Sequence, residues 1–201
     1  NVEVCEVLLT GPVANSILNR ARLLASKFTL TNAASVTTGI LENANVTIFD
    51  KLEVTQTNAL NHEIFTSGVV NAHTILLNGS FDISECFIRG HKLIYKGLLD
   101  VPSTFFNPTT LEVDYICLDE NVQATQFLGV TVVKAKEIDI KSDLKNALTM
   151  FTLGSLTADL VRFQNGLVFT TANVPMSFIF DIGKLEISKC KVKDGIIVSN
   201  A

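Results

Sequence analysis

The sequence predicts an all-β chain wound as a parallel β-solenoid (a β-helix) of about seven coils. Three observations carry that expectation. One unit recurs seven times: a short apolar strand, a polar turn, then a strand alternating apolar and polar residues. The alternating strands share one phase, with first and third residues apolar: Phe28/Leu30, Leu52/Val54, Phe81/Ile83, Leu111/Val113, Ile138/Ile140, Leu167/Phe169 and Leu185/Ile187. Their fourth residue is always polar: Thr31, Thr55, Ser84, Asp114, Lys141, Thr170 and Ser188. The starts of these strands are separated by 24, 29, 30, 27, 29 and 18 residues, an imperfect period near 26.

Side chains alternate faces along a strand, so this phase puts one face in a core and the other in water. Equal patterns one period apart suit coils that stack like on like. A β-sandwich of eight to twelve short strands is the alternative, since turn signals recur often enough for it. The last interval of 18 residues is short for a full coil, so the final coil is expected to be truncated.

The elements follow in order. Residues 1–25 are read as an N-terminal strand and cap, and 26–201 as the coils of the same single domain. Val2 to Leu9 alternates and forms a strand. VANSILNRARLL, from Val13 to Leu24, has apolar residues at helical spacing after Gly11-Pro12 and predicts a helix covering the N-terminal end. Asp143 to Met150 is a second helical candidate. Between the alternating strands lie further apolar patches such as VTTGIL, IFTSGVV, LIYKGLL and ATQFLGV, about three short strands per period. Seven coils at about 4.8 Å give a rod of roughly 34 Å.

Composition removes several function classes. The chain has 201 residues, 47% of them hydrophobic, and a formal net charge of −4, so it is not a disordered chain. Sixteen basic residues against twenty acidic ones argue against binding nucleic acid by bulk charge. No stretch near twenty residues is free of polar interruption, so no membrane span is expected. Nucleotide-binding glycine motifs, the GxSxG elbow and HExxH are absent from the sequence, as are the regular Thr rows of an ice-binding face.

Cys5, Cys86, Cys117 and Cys190 form no CxxC pair, which argues for buried thiols rather than a zinc site. Stacked coils would bring Cys86 and Cys117 near each other. His62, His73 and His91 show no ligand spacing, so no metal and no cofactor are expected. Asn45-Val46-Thr47 and Asn78-Gly79-Ser80 fit the glycosylation acceptor pattern, which is too short to decide anything.

Candidate chemistry is confined to two places. The second residue of the repeated strand is acidic in Glu53, Asp82, Glu112, Asp139 and Glu186. On stacked coils these five would form an acidic row, suited to a cation, to glycans, or simply to water. Glu112, Asp114, Asp139 and Lys141, with Arg162 near, are the best acid–base cluster; the loops are short for a catalytic groove, and no enzyme is expected. The other place is the pair of ends. Val2, Val4, Val7 and Leu9 at one end, and Val192, Ile196 and Val198 at the other, would line unpaired β edges able to accept another chain. Lys184, Lys189, Lys191 and Lys193 gather positive charge at the second end.

The repeats FDKLEVTQ, NGSFDISE and GKLEISKC resemble the broad class of parallel β-solenoid proteins from Leu23 to about Val198. That class includes secreted adhesin passenger domains and the polymer-forming bactofilins. The resemblance is one of architecture, and it implies a structural protein: a self-associating filament subunit or an adhesive module at the cell surface. A carbohydrate-binding or carbohydrate-cleaving β-helix and a viral fibre component are the other readings. Thr and Asn richness and the missing initial Met set the expected location as extracellular or cell surface.

Overall fold

The computed structural model describes residues 1–11, 18–31, 41–55, 63–79, 82–96, 106–107, 109–119, 132–141, 149–152, 154–164, 167–170, 178–181, 184–193 and 196–199. All the regular structure among them is strand. In chain order the strands are β1 (Val2–Thr10), β2 (Leu18–Asn19), β3 (Arg22–Thr31), β4 (Leu41–Glu42), β5 (Asn45–Thr55) and β6 (Glu63–Thr66). Then come β7 (Val69–Asn78), β8 (Asp82–Ser84), β9 (Phe87–Lys96), β10 (Phe106–Asn107), β11 (Thr110–Leu118) and β12 (Val132–Ile140). The last are β13 (Thr149–Thr152), β14 (Ser155–Phe163), β15 (Leu167–Thr170), β16 (Phe178–Asp181), β17 (Lys184–Val192) and β18 (Ile196–Ser199).

Every pairing is parallel. The long strands stack into one sheet in the order β1-β3-β5-β7-β9-β11-β12-β14-β17, and the short ones into a second, β10-β8-β6-β4-β2. Two further pairs, β13 with β16 and β15 with β18, complete the arrangement. A chain whose successive long strands lie side by side and parallel is a solenoid. The sandwich alternative needs antiparallel neighbours and is excluded.

Each rung of the long sheet bends in the middle. The register sets Leu23, Val46, Val70, Ile88, Leu111, Val133 and Leu156 in one inward column, and Phe28, Leu52, Ile75, Leu93, Ile116, Ile138 and Val161 in another. All are buried. Between these columns two successive residues point outward, as His91 and Lys92 do on β9, so alternation breaks and resumes. The inside of that bend has its own column, which runs through Ala25, Ile48, Ala72, Gly90, Val113, Ala135, Ala158 and Ile187, and a Cβ on Gly90 would sit 2.4 Å from the Ala72 carbonyl oxygen. On β5 the bend carries an extra residue, a bulge that leaves Phe49 66% exposed.

The corner between the two sheets has its own column. Arg20, Asn43, Ser67 and Glu85 all have φ between 51° and 54°, the left-handed region, on four successive coils. That single residue turns the chain from a short strand into the next long one. The residue after it is small in three of these coils, Ala44, Gly68 and Cys86, and Ala44 and Cys86 are buried. A Cβ on Gly68 would approach the Ala44 carbonyl oxygen to 2.5 Å.

Three expectations are corrected. The helix over Val13–Leu24 does not form where it can be seen, since Leu18–Asn19 and Arg22–Leu24 are strand around left-handed Arg20. Its helical spacing is the spacing of a corner: Leu18 and Leu23 both pack against the core from opposite sides of the turn. Residues 12–17 lie outside the described ones. Of the second helical candidate, Thr149 and Met150 are strand, and 143–148 also lie outside. The count of seven coils differs as well, because the long sheet holds nine strands.

The miscount has a definite source. Phe28, Leu52 and Ile138 open the second arm of a rung, while Leu111 and Leu185 sit in the first arm. Asp82 and Ile83 belong to the short sheet, and Leu167 to the β15–β18 pair. The seven look-alike strands therefore come from four different places in the coil.

Candidate functional site: open ends and outer ladders

The two ends of the long sheet are β1 and β17, each paired on one side only among the described residues. The inward columns run to both ends. Val2 lies opposite Leu23 and Val4 opposite Ala25, yet Val2 and Val4 are 40% and 41% exposed where Leu23 and Ala25 are buried. Val7 and Leu9 pack partly against the core. At the other end Val192 and Ile187 do the same, and Cys190, in the column of buried Val161, is exposed. Ile196 and Val198, expected on the same edge, lie on β18 and pair with Leu167 and Phe169 of β15.

Charge differs between the ends. β1 carries Glu3 and Glu6, while β17 carries Lys184, Lys189 and Lys191 with Glu186, and Lys193 follows it. Lys184 pairs with Glu186 at 3.0 Å.

The five acids do not form one row. Glu53 and Asp139 share a column but are separated in it by Leu76, Ile94 and Cys117. Glu112 and Glu186 share another, separated by Lys134 and Thr157. Asp82 lies in the short sheet. Like charges on adjacent parallel strands repel, and the ladders through Glu112 and Asp114 alternate sign, although Lys27 lies opposite Lys51 and Arg162 opposite Lys191. Glu112 accepts from Arg89 on one side and Lys134 on the other, both at 3.0 Å, and these hold its carboxyl below the usual range. Asp114 sits likewise between Lys136 and His91, each at 2.9 Å, and its carboxyl is also held down.

Asp139 is buried and fully partnered. It accepts from the Tyr115 hydroxyl at 2.9 Å, from Arg162 at 3.1 Å and from Gln164 at 3.5 Å, while Arg162 also binds Glu137. Burial first, and this bond to Asp139 second, push the Tyr115 hydroxyl far above its ordinary value. The expected acid–base cluster is not assembled: Glu112 and Asp114 pair with Arg89, Lys134, Lys136 and His91, while Asp139, opposite Cys117 further along the rung, meets Arg162 of that set. General acid catalysis wants a carboxyl with a raised pKa, and Glu112 and Asp114 are shifted the other way.

Cys86 and Cys117 are both buried, and neither is joined in a disulfide. Cys86 sits just before β9 and Cys117 faces Ile94 near the far end of that strand, so they are not near neighbours. Burial raises the Cys117 thiol. His73 and His91, scattered to the eye in sequence, occupy the same outward place on neighbouring β7 and β9, with ring centroids 5.2 Å apart. The signal was their 18-residue separation, equal to that of Val70 and Ile88, but reading it needs the true rung length. His62 lies outside the described residues.

These features define a parallel β-solenoid with two open sheet edges and a charge-laddered outer surface. No family model, curated protein or solved structure matches the chain. Among the described residues no helix is long and apolar enough to cross a membrane.

Proposed function

We propose that this chain is a non-catalytic structural subunit that associates end to end, β17 of one copy pairing with β1 of the next. One observation carries the reading: the inward columns of the long sheet run to both edges in a register that a second copy can continue. In that register Ile187 meets Val4, Cys190 meets Val7 and Val192 meets Leu9, apolar against apolar throughout. Lys189 falls opposite Glu6, and neither has an ion pair among the described residues. Glu186 falls opposite Glu3, but its charge is offset by Lys184. Unpaired strand edges are a standing template for another strand, and parallel addition hydrogen-bonds the edge while burying its apolar column.

The polymer-forming bactofilins would be the nearest analogy in kind, and an extracellular or cell-surface setting belongs to the same proposal. The glycan reading lacks an equal basis, because the acids that were to form its row stand apart and four of them, Glu53, Glu112, Asp139 and Glu186, are ion-paired or hydrogen-bonded. The test is a charge exchange. Glu6→Lys should weaken association, Lys189→Glu should weaken it too, and the double variant should recover most of it in sedimentation velocity. Single variants that sediment as the parent does at every concentration contradict the proposed junction.

A further inference from the structure

We infer that His73 and His91 form a two-histidine clamp for a divalent transition-metal ion of the zinc, nickel or copper(II) type. The paired residues Ala72–Gly90 and Thr74–Lys92 flank the two histidines on adjacent strands. Both side chains therefore leave the bend side by side at the strand spacing of about 4.8 Å. Their ring centroids are 5.2 Å apart and the rings are tilted by 31°. Both are exposed, so an ion reaches them without being buried.

The backbone beneath them is held close. Gly90 precedes His91, and its α-carbon lies so near the Ala72 carbonyl that a methyl group would clash at 2.4 Å. Of the intervals between first inward residues (2, 23, 46, 70, 88, 111, 133, 156 and 185), the one joining these two rungs is the shortest. The histidines are thus pre-positioned by short, tightly spaced backbone.

The Asp114 carboxylate oxygen lies 2.9 Å from the His91 Nδ1, which leaves the ring's Nε2 on the side away from it. A carboxylate holding the far nitrogen of a histidine is the usual support behind a metal-bound imidazole. The His73 Nδ1 lies 3.3 Å from the Thr74 hydroxyl. Imidazole nitrogen is the donor that zinc, nickel and copper(II) favour. Among the described residues no group of three or more His, Cys, Asp and Glu is placed to hold a metal, so water completes the coordination.

The test is calorimetric titration of the untagged chain with zinc, nickel and copper(II) chlorides, joined to copper(II) electron paramagnetic resonance. One ion per chain is expected, with a copper spectrum showing nitrogen coordination. His73→Ala and His91→Ala should each lower affinity at least about tenfold, and Asp114→Asn by about tenfold with the stoichiometry kept. His91→Gln, which keeps the side chain's bulk, should do as His91→Ala does. Circular dichroism melts of the metal-free variants should match the parent, which separates loss of the site from loss of the fold. No saturable binding, or binding that survives both alanine substitutions, overturns the inference.

Discussion

Gly90 shows how far a single side chain is dictated by its place in a coil. It stands on the inside of the bend, where other rungs carry residues as large as Ile48 and Val113, yet here a methyl group would meet the Ala72 carbonyl at 2.4 Å. The obstacle is backbone, so it cannot rotate away. Gly90→Ala should destabilise the fold by about 1–3 kcal/mol, the usual cost of overpacking, read as a lower midpoint in chemical denaturation; an unchanged midpoint would mean the rungs can part. Tyr95 makes a second case. Its ring is buried and its hydroxyl donates to the Gly79 carbonyl at 3.0 Å. Tyr95→Phe removes that donor and should cost about 1 kcal/mol in the same measurement.

The outer carboxylates give a pH prediction whose sign follows from their partners. Glu112 and Asp114 are lowered from ordinary values of 4.5 and 3.8 by side-chain bonds to Lys134 and Arg89, and to Lys136 and His91. A folded-state pKa below the unfolded one stabilises the fold above the unfolded value, and the gain is lost as pH falls through the folded one. The ladder's contribution should therefore be constant at neutral pH and fade below about pH 4.5. Both carboxylates are exposed, so salt should weaken it. Glu112→Gln should flatten the loss of melting temperature between pH 5 and pH 3; an unaltered acid profile would count against the ladder.

At the scale of elements, the corner and the bend decide the coil. Four successive coils turn on a left-handed residue, and Arg20, Asn43, Ser67 and Glu85 share no side-chain chemistry that announces it. Asn alone among them is enriched there. This is why the corner was not legible: no glycine marks it, and the helical spacing of Leu18 and Leu23 across it read as a helix. A β-branched residue is most strained at such a φ. Asn43→Val should lower stability by on the order of 1–3 kcal/mol, whereas Asn43→Gly should be close to neutral, both by thermal denaturation. Equal losses in the two variants would contradict a backbone cause.

The strands themselves were legible, because inward and outward residues alternate as plainly as in Phe28-Thr29-Leu30-Thr31. Their rank in the coil was not. Each rung has two alternating arms around its bend, so Leu52 and Leu111 look equivalent in sequence yet occupy different columns. That ambiguity merged nine rungs into seven repeats, and it aligned five acids that the register keeps apart. The open ends were easier to place. Of the segments expected at the ends, Val2 to Leu9 and Lys189 to Val198, the parts on β1 and β17 lie first and last in the long stack because its strands stack in chain order, while Ile196 and Val198 lie on β18 beside β15.

On the scale of the whole molecule, nine stacked strands at about 4.8 Å make a core some 40 Å long whose inward columns stop at two open edges. Along the sides, Glu53, Glu112, Asp114, Glu137 and Asp139 are occupied by neighbouring side chains. Exposed apolar residues gather instead at β1, where Val2, Val4 and Leu8 are three of the five large exposed hydrophobics among the described residues. A surface that is satisfied along its length and unsatisfied at its end favours addition along the axis. The most direct measurement is negative-stain electron microscopy of the chain over a concentration series. End-to-end association predicts unbranched fibres one solenoid wide, lengthening with concentration, with an axial repeat of about 4 nm set by the nine rungs. Single particles of unchanging size at every concentration would contradict it.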